Sequence, residues 1–424
     1  MLLGTVLHVE KGVWLIHMVR IEGGVTAAKG FQAASAAAGI KYEGRDDMAM
    51  VYSETPCIAA GTFTTNVVKA APVVWDRKIV EDSACVHAVV VNAGIANAGT
   101  GQQGMQYCEE TAEQAAKELS IPMDSVLLGS TGVIGMQLPM DRIKNGVKLL
   151  AAALGDTPED GHKAACAIMT TDTIPKEAAV KVEIDGKTVS IGGISKGSGM
   201  IHPYMCTMLA YVTTDVSITK ELLKEALSED VKDTFNMISV DGDTSTNDTL
   251  LCLANGLAGN RTITEKNEDY ERFVKALHTV NETLARMMAG DGEGASKLFT
   301  CKVIHADTKE NAVLLSKSVI TSSLAKAAVF GCDANWGRFL CALGYSGAVF
   351  EPEKMELSFE SEFGSVLVYK DGVTMDYSEE LAAKILSGKE VTVLADMKMG
   401  DAQATAWGCD LTYDYVKINA DYRS

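Results

Sequence analysis

Two potential nucleophiles stand side by side in the middle of the chain, in the segment HPYMCTMLAYVTTD. Cys206 carries a thiol and Thr207 a hydroxyl, and neither has an obvious basic partner close by in the sequence. His202 lies five residues before Thr207, but Pro203 disfavours the helix that would let the two meet. The sequence therefore favours a structural role for His202, and it leaves open which nucleophile acts and what activates it.

A glycine-rich segment, LLGSTGVIG at residues 127–135, follows a short apolar strand. Its small residues let backbone N–H groups approach a ligand closely, and two such donors aimed at one point could hold an oxyanion. An ordinary glycine turn explains the segment equally well.

Residues 99–104 match the pattern GxGxxG upstream of a helical segment. A dinucleotide site needs its first glycine directly at the end of a strand. Here residues 92–98 separate the HAVVV strand from Gly99. We therefore favour plain loop geometry, and a nucleotide-binding protein that uses this loop is an alternative function.

Charged residues in two other glycine-rich segments could contact a substrate. Lys196 lies in SKGSGMIHP, where it could bind a carboxylate, and Glu293 lies in GDGEGASK, where it could meet a cationic group. Both residue types are more often simply solvated. The segment DGDTSTND resembles part of a Ca²⁺ loop, but Ala254 stands where the twelfth-position Glu is required, so we reject a calcium site.

Composition excludes several classes of protein. The 424 residues are 47% apolar and carry a formal net charge of -18, with no basic cluster for a nucleic-acid partner. The ten cysteines include no CxxC spacing, which favours a reduced, cytoplasmic protein without a metal site. The sequence contains no uninterrupted run of 18 apolar residues, so it predicts no membrane span. Residues 1–17 are interpreted as an upstream extension of no assigned role.

Local patterns predict a layered α/β fold with antiparallel or mixed sheets. Alternating apolar residues around Asp185-Gly186 and Asp371-Gly372 predict two β-hairpins. An apolar repeat predicts an amphipathic helix over 268–289, closed by Gly290. Further helices are predicted at 109–119, 141–154 and 219–228, the last with Thr219 as its N-cap.

Eight segments, taken together and in order, resemble the bifunctional glutamate/ornithine N-acetyltransferases of arginine biosynthesis, the ArgJ family. The resemblance runs from about Val19 to Ser424 and rests on GGVTAAKGF, STGVIG, MTTDT, SKGSGMIHPYMCTMLAYVTTD, VDGDTSTND, GDGEGASK, DANWGR and ATAWGCDLTYDYVKINADYRS. The chain departs from the family's usual residues at four positions: Ile95 (more often Asn), Gly99 (Cys), Tyr204 (Asn) and Cys206 (Ala).

The resemblance implies that Thr207, and not Cys206, is the nucleophile. Family members cut their own chain before this threonine, which here would give an α chain of residues 18–206, with the 1–17 extension, and a β chain of residues 207–424. A mid-chain threonine has no built-in base. Cleavage would free an α-amine on Thr207, and the reference pKa of such an amine, about 7.7–8.0, lets it accept the hydroxyl proton near neutral pH.

The resemblance also implies the other site residues. Thr131 and Gly132 match the oxyanion hole. The positions that match substrate-binding residues are Thr170 (with Thr171 adjacent), Lys196, Thr207, Glu293, Asn419 and Ser424.

The implied reaction is acetyl transfer from N2-acetylornithine to glutamate by a ping-pong mechanism. Some relatives also acetylate glutamate from acetyl-CoA. The resemblance implies a two-domain ArgJ/DmpA-like architecture, an α2β2 assembly of processed chains, and no metal or redox cofactor. An aminopeptidase or amidase with an N-terminal nucleophile, which would hand the acyl group to water, is the alternative within enzymes.

Overall fold

The computed structural model describes residues 18–202 and 208–421. Their chain divides into two compact units, which are described separately. The first unit contains described residues from 18–197, 208–234 and 244–284, and the second contains those from 198–202, 235–243 and 285–421. Each unit combines helices with a mixed sheet, so the predicted layered α/β fold is confirmed.

The described residues form the following strands: β1 (Met18–Ile21), β2 (Phe31–Ala36), β3 (Met48–Phe63), β4 (Val86–Ile95), β5 (Val126–Val133), β6 (Lys176–Ile184), β7 (Lys187–Lys196), β8 (Leu209–Thr214), β9 (Ile238–Ser239), β10 (Thr249–Ala254), β11 (Leu298–Ala306), β12 (Glu356–Ser361), β13 (Gly364–Lys370), β14 (Val373–Thr374), β15 (Glu390–Asp396) and β16 (Ala402–Cys409). Their α-helices are α1 (Ala71–Asp82), α2 (Gly101–Leu119), α3 (Met140–Ala152), α4 (Pro158–Ala167), α5 (Lys220–Asp233), α6 (Glu268–Gly290), α7 (Lys309–Thr321), α8 (Ser323–Gly331), α9 (Trp336–Gly344), α10 (Glu379–Leu386) and α11 (Tyr413–Ala420).

The sheet of the first unit has the strand order β1-β6-β7-β8-β10-β3-β4-β5, with β2 also paired to β3. The pairs β4–β5 and β8–β10 are parallel, and the other pairs are antiparallel. This mixture explains why hairpins and buried apolar runs occur in the same stretch of sequence.

Both faces of this sheet are covered. Successive side chains of a strand point to opposite faces, and on β4 the side chains of Val89 and Val91 belong to one buried cluster while Val90 belongs to another. Residues of α1 and α4 join the first cluster, whereas residues of α2 and α3 join the second. The strand ends that carry the candidate site are therefore fixed by packing on both sides.

The sheet of the second unit has the strand order β14-β13-β12-β15-β11-β16-β9. β11 lies between β15 and β16, parallel to β15 and antiparallel to β16. The aromatic rings of Phe299, Phe339 and Phe359 pack edge to face beside it, with ring centroids 5.1 and 6.1 Å apart.

Most predicted elements are confirmed. The hairpin at Asp185-Gly186 joins β6 to β7, and the one at Asp371-Gly372 joins β13 to β14. The helix predicted over 268–289 is α6, and the Thr219 hydroxyl caps α5 by accepting a hydrogen bond from the Leu222 backbone N–H.

The prediction of a helix beginning at residue 109 is wrong, because α2 begins at Gly101. Its first turn contains two glycines, whose weak helix propensity hid the start. Tertiary packing overrides that propensity: Gly104 lies against the side chains of Thr100 and Asn97, and the Asn97 amide donates to the Gly104 carbonyl at 3.0 Å.

Two features of the described residues bear on membrane and metal binding. No single described helix is long and apolar enough to cross a membrane; one bent pair, α7 with α8, meets the criteria of length and composition. Among residues 18–202 and 208–421, no group of three or more His, Cys, Asp or Glu side chains is arranged to hold a metal ion.

Candidate active site

The predicted oxyanion segment lies at the end of β5, beside β4. Gly94 and Gly132 are register partners, and the pairing is irregular at Ile95. Gly132 has a φ of 129°, and a Cβ on it would overlap the carbonyl group of Gly94. Only glycine satisfies both constraints, so the backbone of Thr131 and Gly132 is held in one conformation against the neighbouring strand.

Two buried amide side chains, those of Asn247 and Asn92, form hydrogen bonds that stabilise this segment. The Asn247 amide donates to the carbonyls of Ala96 and Ser130, at 2.6 and 2.7 Å, and the Ser130 hydroxyl donates to Asn92 at 2.6 Å. Asn247 lies in the VDGDTSTND segment, and no sequence pattern distinguishes it from its polar neighbours. Because these buried carbonyls accept hydrogen bonds, polar contacts add to the packing that holds the turn.

The Lys196 ammonium brings three predicted residues together. Lys196 is the last residue of β7 and is 8% exposed. Its Nζ donates to the Thr131 hydroxyl at 3.1 Å and to the Thr170 hydroxyl at 2.9 Å. Residues from β5, β7 and the loop after α4 thus converge on one cation.

Sequence reasoning missed a buried carboxylate next to this cation. Asp172 lies in the MTTDT segment, and its carboxylate accepts hydrogen bonds from Lys176 Nζ at 2.7 Å and from the Gly197 N–H at 2.7 Å. Burial would raise its pKa, but the charges of Lys196 and Lys176 and these hydrogen bonds lower the pKa of Asp172 to about 2. Asp172 is therefore an anion at neutral pH.

In the second unit the structure brings Glu293 and Asn419 together. Glu293 is 4% exposed, and its backbone N–H donates to the Ser198 carbonyl at 2.8 Å. The Asn419 amide, on α11, donates to Glu293 Oε2 at 2.7 Å. Gly199 lies directly against the carboxyl group of Glu293, and a Cβ there would overlap it.

A second carboxylate ties α11 to the same region of the second unit. Asp241 accepts from the backbone N–H groups of Met200 and Ile201 at 2.6 and 2.9 Å, and from the Tyr415 hydroxyl at 3.3 Å. Burial, and then the nearby charges of Asp241 and Glu293, raise the pKa of Tyr415 well above its usual value. The Tyr415 phenol therefore stays protonated and acts as a donor.

His202 has the surroundings of a structural histidine. Its Nδ1 lies 3.1 Å from the Ser239 hydroxyl. Burial and the charge of Lys317 lower the pKa of His202 to about 4. A base of such low pKa accepts a proton poorly near neutral pH.

In the GxGxxG segment, side chains of the loop contact one another. β4 continues to Ile95, so only residues 96–98 separate strand from glycine, and our count of seven intervening residues is wrong. The Thr100 hydroxyl nevertheless donates to Asn97 at 2.9 Å and lies over the first turn of α2. Thr100 and Asn97 are therefore used within the loop, and Gly99 does not directly follow the strand as a dinucleotide site requires.

Four of the predicted positions lie outside the described residues: Tyr204, Cys206, Thr207 and Ser424. The proposed nucleophile and cleavage point therefore stay predictions. The extension of residues 1–17 also lies outside the described part.

A mixed α/β fold with buried, charged and hydrogen-bonded side chains at strand ends is typical of an enzyme. The ArgJ family model matches residues 32–424 of this chain. The chain is 52% identical over 400 residues to the arginine biosynthesis bifunctional protein ArgJ 1 of Clostridium acetobutylicum, covering 94% of this chain and 97% of that relative. It is also 52% identical over 406 residues to ArgJ of Symbiobacterium thermophilum, covering 95% and 99% of the two chains. The chain belongs to the ArgJ family.

Solved structures give partial matches. The crystal structure of ArgJ from Bacillus halodurans is 42% identical, with a TM-score of 0.48, over 50% of this chain and 98% of that one. The ornithine acetyltransferase of Mycobacterium tuberculosis, solved with ornithine, is 39% identical, with a TM-score of 0.41, over 45% of this chain and 100% of the other.

Proposed function

We propose that this protein transfers an acetyl group from N2-acetylornithine to glutamate in arginine biosynthesis, through an acetyl ester on Thr207. Membership of the ArgJ family supports the reaction class. The observation that carries the proposal is the contact of one ammonium group, Lys196, with the hydroxyls of both Thr131 and Thr170.

Lys196 prepares the Thr131 hydroxyl to stabilise an oxyanion. An ammonium group can only donate hydrogen bonds, so Lys196 uses an acceptor lone pair of the Thr131 oxygen. The hydroxyl proton then points away from Lys196 and can form a hydrogen bond to the oxygen of a tetrahedral intermediate. With the backbone of Gly132, this would form the oxyanion hole, in which one donor contributes about 2.7–4 kcal/mol to lowering the barrier.

Two charges would recognise the amino-acid substrates. Lys196 is assigned to a substrate carboxylate and Glu293 to a substrate ammonium group. The Asn419 amide fixes the orientation of the Glu293 carboxylate by donating to Oε2. N2-acetylornithine offers an α-carboxylate to Lys196 and a δ-ammonium group to Glu293. Glutamate shares the α-carboxylate, so Lys196 would serve both half-reactions, whereas Glu293 would serve the first. Thr170, Thr207 and Ser424 complete the proposed substrate-binding set.

The nucleophile would be made by processing. The Thr207 hydroxyl attacks the Cys206 carbonyl, and the acyl group of Cys206 shifts from the amide nitrogen to the Thr207 oxygen. Water then hydrolyses the resulting ester, which releases an α chain ending at Cys206 and a β chain beginning at Thr207. The freed α-amine then acts as the base for the same hydroxyl.

Acetyl transfer follows in two balanced steps. The Thr207 oxygen attacks the acetyl carbonyl of N2-acetylornithine, its proton passes to the α-amine and on to the leaving nitrogen, and ornithine departs. The glutamate amine attacks the acetyl ester, and Thr207 recovers its proton as N-acetylglutamate leaves. No metal or redox cofactor takes part in this scheme. Acetyl-CoA as a second donor, an α2β2 assembly and a cytoplasmic location stay predictions.

Initial-rate kinetics test the transfer. With N2-acetylornithine and glutamate varied together, a covalent acetyl-enzyme gives parallel double-reciprocal lines, and omission of glutamate stops release of ornithine almost completely. Intersecting lines would mean a ternary complex. Release of ornithine at the full rate without glutamate would instead favour the aminopeptidase or amidase alternative.

Intact-mass analysis tests the nucleophile. The wild-type protein should give two chains that meet between Cys206 and Thr207, Thr207→Ala should remain a single inactive chain, and Cys206→Ala should still be cleaved and active. A smaller product beginning with Cys206 would overturn the assignment to Thr207.

A further inference from the structure

A lysine and a cysteine of the second unit lie side by side, with nitrogen and sulfur in contact. Lys297 Nζ donates to Cys332 Sγ at 3.0 Å. An ammonium group has three N–H donors, and the other two hydrogen bonds of Lys297 Nζ go to the carbonyls of Val329 and Leu386, at 2.6 and 2.8 Å. The two carbonyls therefore fix the ammonium group against the sulfur atom.

The two side chains differ in their access to solvent. Lys297 is 9% exposed, whereas Cys332 is a free cysteine that is partly exposed. Cys332 follows α8 with a left-handed φ of 52°, a position at which glycine is the usual residue. The backbone conformation therefore does not account for a thiol at this position, and a small solute can reach it.

A second lysine–cysteine contact in the same unit offers a comparison. Lys326 Nζ donates to the Val240 carbonyl at 2.7 Å and lies 3.6 Å from Cys409 Sγ. Cys409 is only 2% exposed, and burial raises the pKa of its thiol. The Lys297–Cys332 pair combines a shorter distance between nitrogen and sulfur with an accessible sulfur atom, and the Lys326–Cys409 pair has neither property.

We propose that Lys297 and Cys332 form an oxidation-sensitive pair, in which a hydroperoxide converts their contact into a covalent bond between nitrogen and sulfur. The two atoms are already at the separation of about 3–3.5 Å that is typical of reacting atoms poised for attack. The product is a sulfenamide, which forms when a cysteine sulfenic acid condenses with a nitrogen nucleophile. This modification goes beyond the proposed function and does not depend on acetyl transfer.

The reaction balances with one molecule of hydrogen peroxide for each bond formed. The Cys332 sulfur attacks a peroxide oxygen, the O–O bond breaks, and the Lys297 ammonium group protonates the departing hydroxide to give water. The thiol proton passes to solvent, which leaves a sulfenic acid beside a neutral amine. The amine then attacks the sulfur, an S–N bond replaces the S–O bond, and the hydroxide leaves with one amine proton as a second water. Sulfur is oxidised by two electrons, and the peroxide is reduced by two.

Mass spectrometry of the full-length protein tests this bond. The protein is treated with hydrogen peroxide, alkylated without reduction and digested with trypsin. We expect a peptide that joins Lys297 to Cys332 and is two hydrogen atoms lighter than its two parts, with no cleavage after Lys297, because trypsin needs an unmodified lysine. Dithiothreitol should reverse both changes. Reduced Cys332 should disappear at least about tenfold faster than reduced Cys409, because exposure and an adjacent proton donor both favour its oxidation.

Two substitutions separate the roles of the pair. Lys297→Arg keeps the charge and the hydrogen-bond donors, but a guanidinium group that stays protonated is a poor nucleophile. In this variant Cys332 should reach the sulfenic acid, which dimedone traps, without forming the bridge. Cys332→Ser removes the sulfur, so cleavage after Lys297 should remain complete in the peroxide-treated protein. Cleavage after Lys326 is the matched control in every digest and should not change.

Several results would overturn the inference. These are an unreacted Cys332, a Cys332 oxidised to sulfinic or sulfonic acid while cleavage after Lys297 is normal, a bridge that retains the oxygen atom, and loss of cleavage after Lys297 in Cys332→Ser. If a variant does not fold, the peptides of the wild-type protein decide alone. Absence of acetyl transfer in the wild-type protein would overturn the proposed function and leave this inference unaffected.

Discussion

The two charged residues assigned to substrate, Lys196 and Glu293, are held in opposite ways. Lys196 ends a strand at the middle of a sheet, between two hydroxyls and a fully buried ion pair. Glu293 lies in a loop, and the amide that fixes its carboxylate comes from α11, a helix with no buried residue. The first arrangement depends on packing, and the second depends on a few polar contacts. Substitutions near Lys196 should therefore affect folding and activity together, whereas those near Glu293 should change substrate affinity alone.

Gly132→Ala should have the largest effect. The new Cβ would overlap the backbone of Gly94, which cannot move without breaking the β4–β5 pairing, and the residue would keep a φ of 129°. We expect a loss of about 3–5 kcal/mol in the free energy of unfolding, together with loss of activity. Urea unfolding followed by circular dichroism measures the loss.

Gly135→Ala is the matched control for this substitution. Gly135 also has a positive φ, 86°, but nothing lies within 4 Å of its Cβ position. The control should lose only about 1–2 kcal/mol, which is the strain of the left-handed conformation. Equal losses in the two variants would show that the segment is not held against β4.

Gly199→Ala makes the corresponding change in the second unit and should have a different outcome. Its Cβ would overlap the carboxyl end of Glu293, which is a side chain and can be displaced. We expect KM for N2-acetylornithine to rise about 10–100-fold, because a displacement of the Glu293 carboxylate by roughly 1 Å can have an effect of this size. The melting temperature should stay within about 2 °C of wild type.

The control here is Gly331→Ala, since nothing lies within 4 Å of that Cβ position. It should leave KM unchanged. A large fall in the stability of Gly199→Ala with unchanged KM would erase the proposed difference between the two sites.

Asn419→Ala should raise KM for N2-acetylornithine by less than Gly199→Ala does. It removes the hydrogen bond to Glu293 Oε2 but leaves α11 capped by the Thr412 hydroxyl, which also donates to the Gly294 carbonyl at 2.7 Å. We expect a three- to tenfold rise in KM, equivalent to about 1 kcal/mol, with unchanged stability. Removal of residues 419–424 should raise KM further; unchanged kinetics in both variants would remove Asn419 and Ser424 from the proposed site.

Local patterns predicted the elements of this fold better than its polar contacts. The Asp-Gly turns and the apolar repeat of α6 depend on neighbours in sequence, and each was placed correctly. Asn247 could not be identified in this way, because its partner Ser130 is 117 residues away and an amide at the end of a polar segment has no distinctive pattern.

Asp172 and Lys176 illustrate the same limit. Their i,i+4 spacing is that of an ordinary surface ion pair on a helix, yet they lie before and at the start of β6, where burial makes the pair consequential. Glycine-rich segments made Thr131, Lys196 and Glu293 candidates, and the family resemblance then assigned their roles. Spacing alone does not report that Lys196 and Thr131, 65 residues apart, share a hydrogen bond.

The smallest expected effect is a difference between the two units in how much stability each loses as the pH falls. The pKa of His202, in the second unit, is lowered to about 4 by burial and the charge of Lys317, from an ordinary value of 6.5. Between these pH values the unfolded chain binds a proton that the folded chain excludes, so the free energy of unfolding falls as the pH falls from 6.5 towards 4. Asp172, in the first unit, has its pKa lowered to about 2, so its contribution is complete above 3.8 and is lost only as the pH falls towards 2.

His202→Gln tests this order, because glutamine can still contact Ser239 but cannot titrate. Between pH 7 and pH 4.5, urea unfolding of the wild-type protein should lose about 1 kcal/mol more than that of the variant, after allowance for the partial exposure of the ring. Native-state hydrogen exchange, corrected for intrinsic rates, should place the extra loss in strands of the second unit, such as β11, while β7 keeps its protection. Equal pH dependence in wild type and variant would mean that His202 does not cause the loss of stability in acid. An earlier loss of protection in β7 would mean that the first unit is the more acid-sensitive of the two.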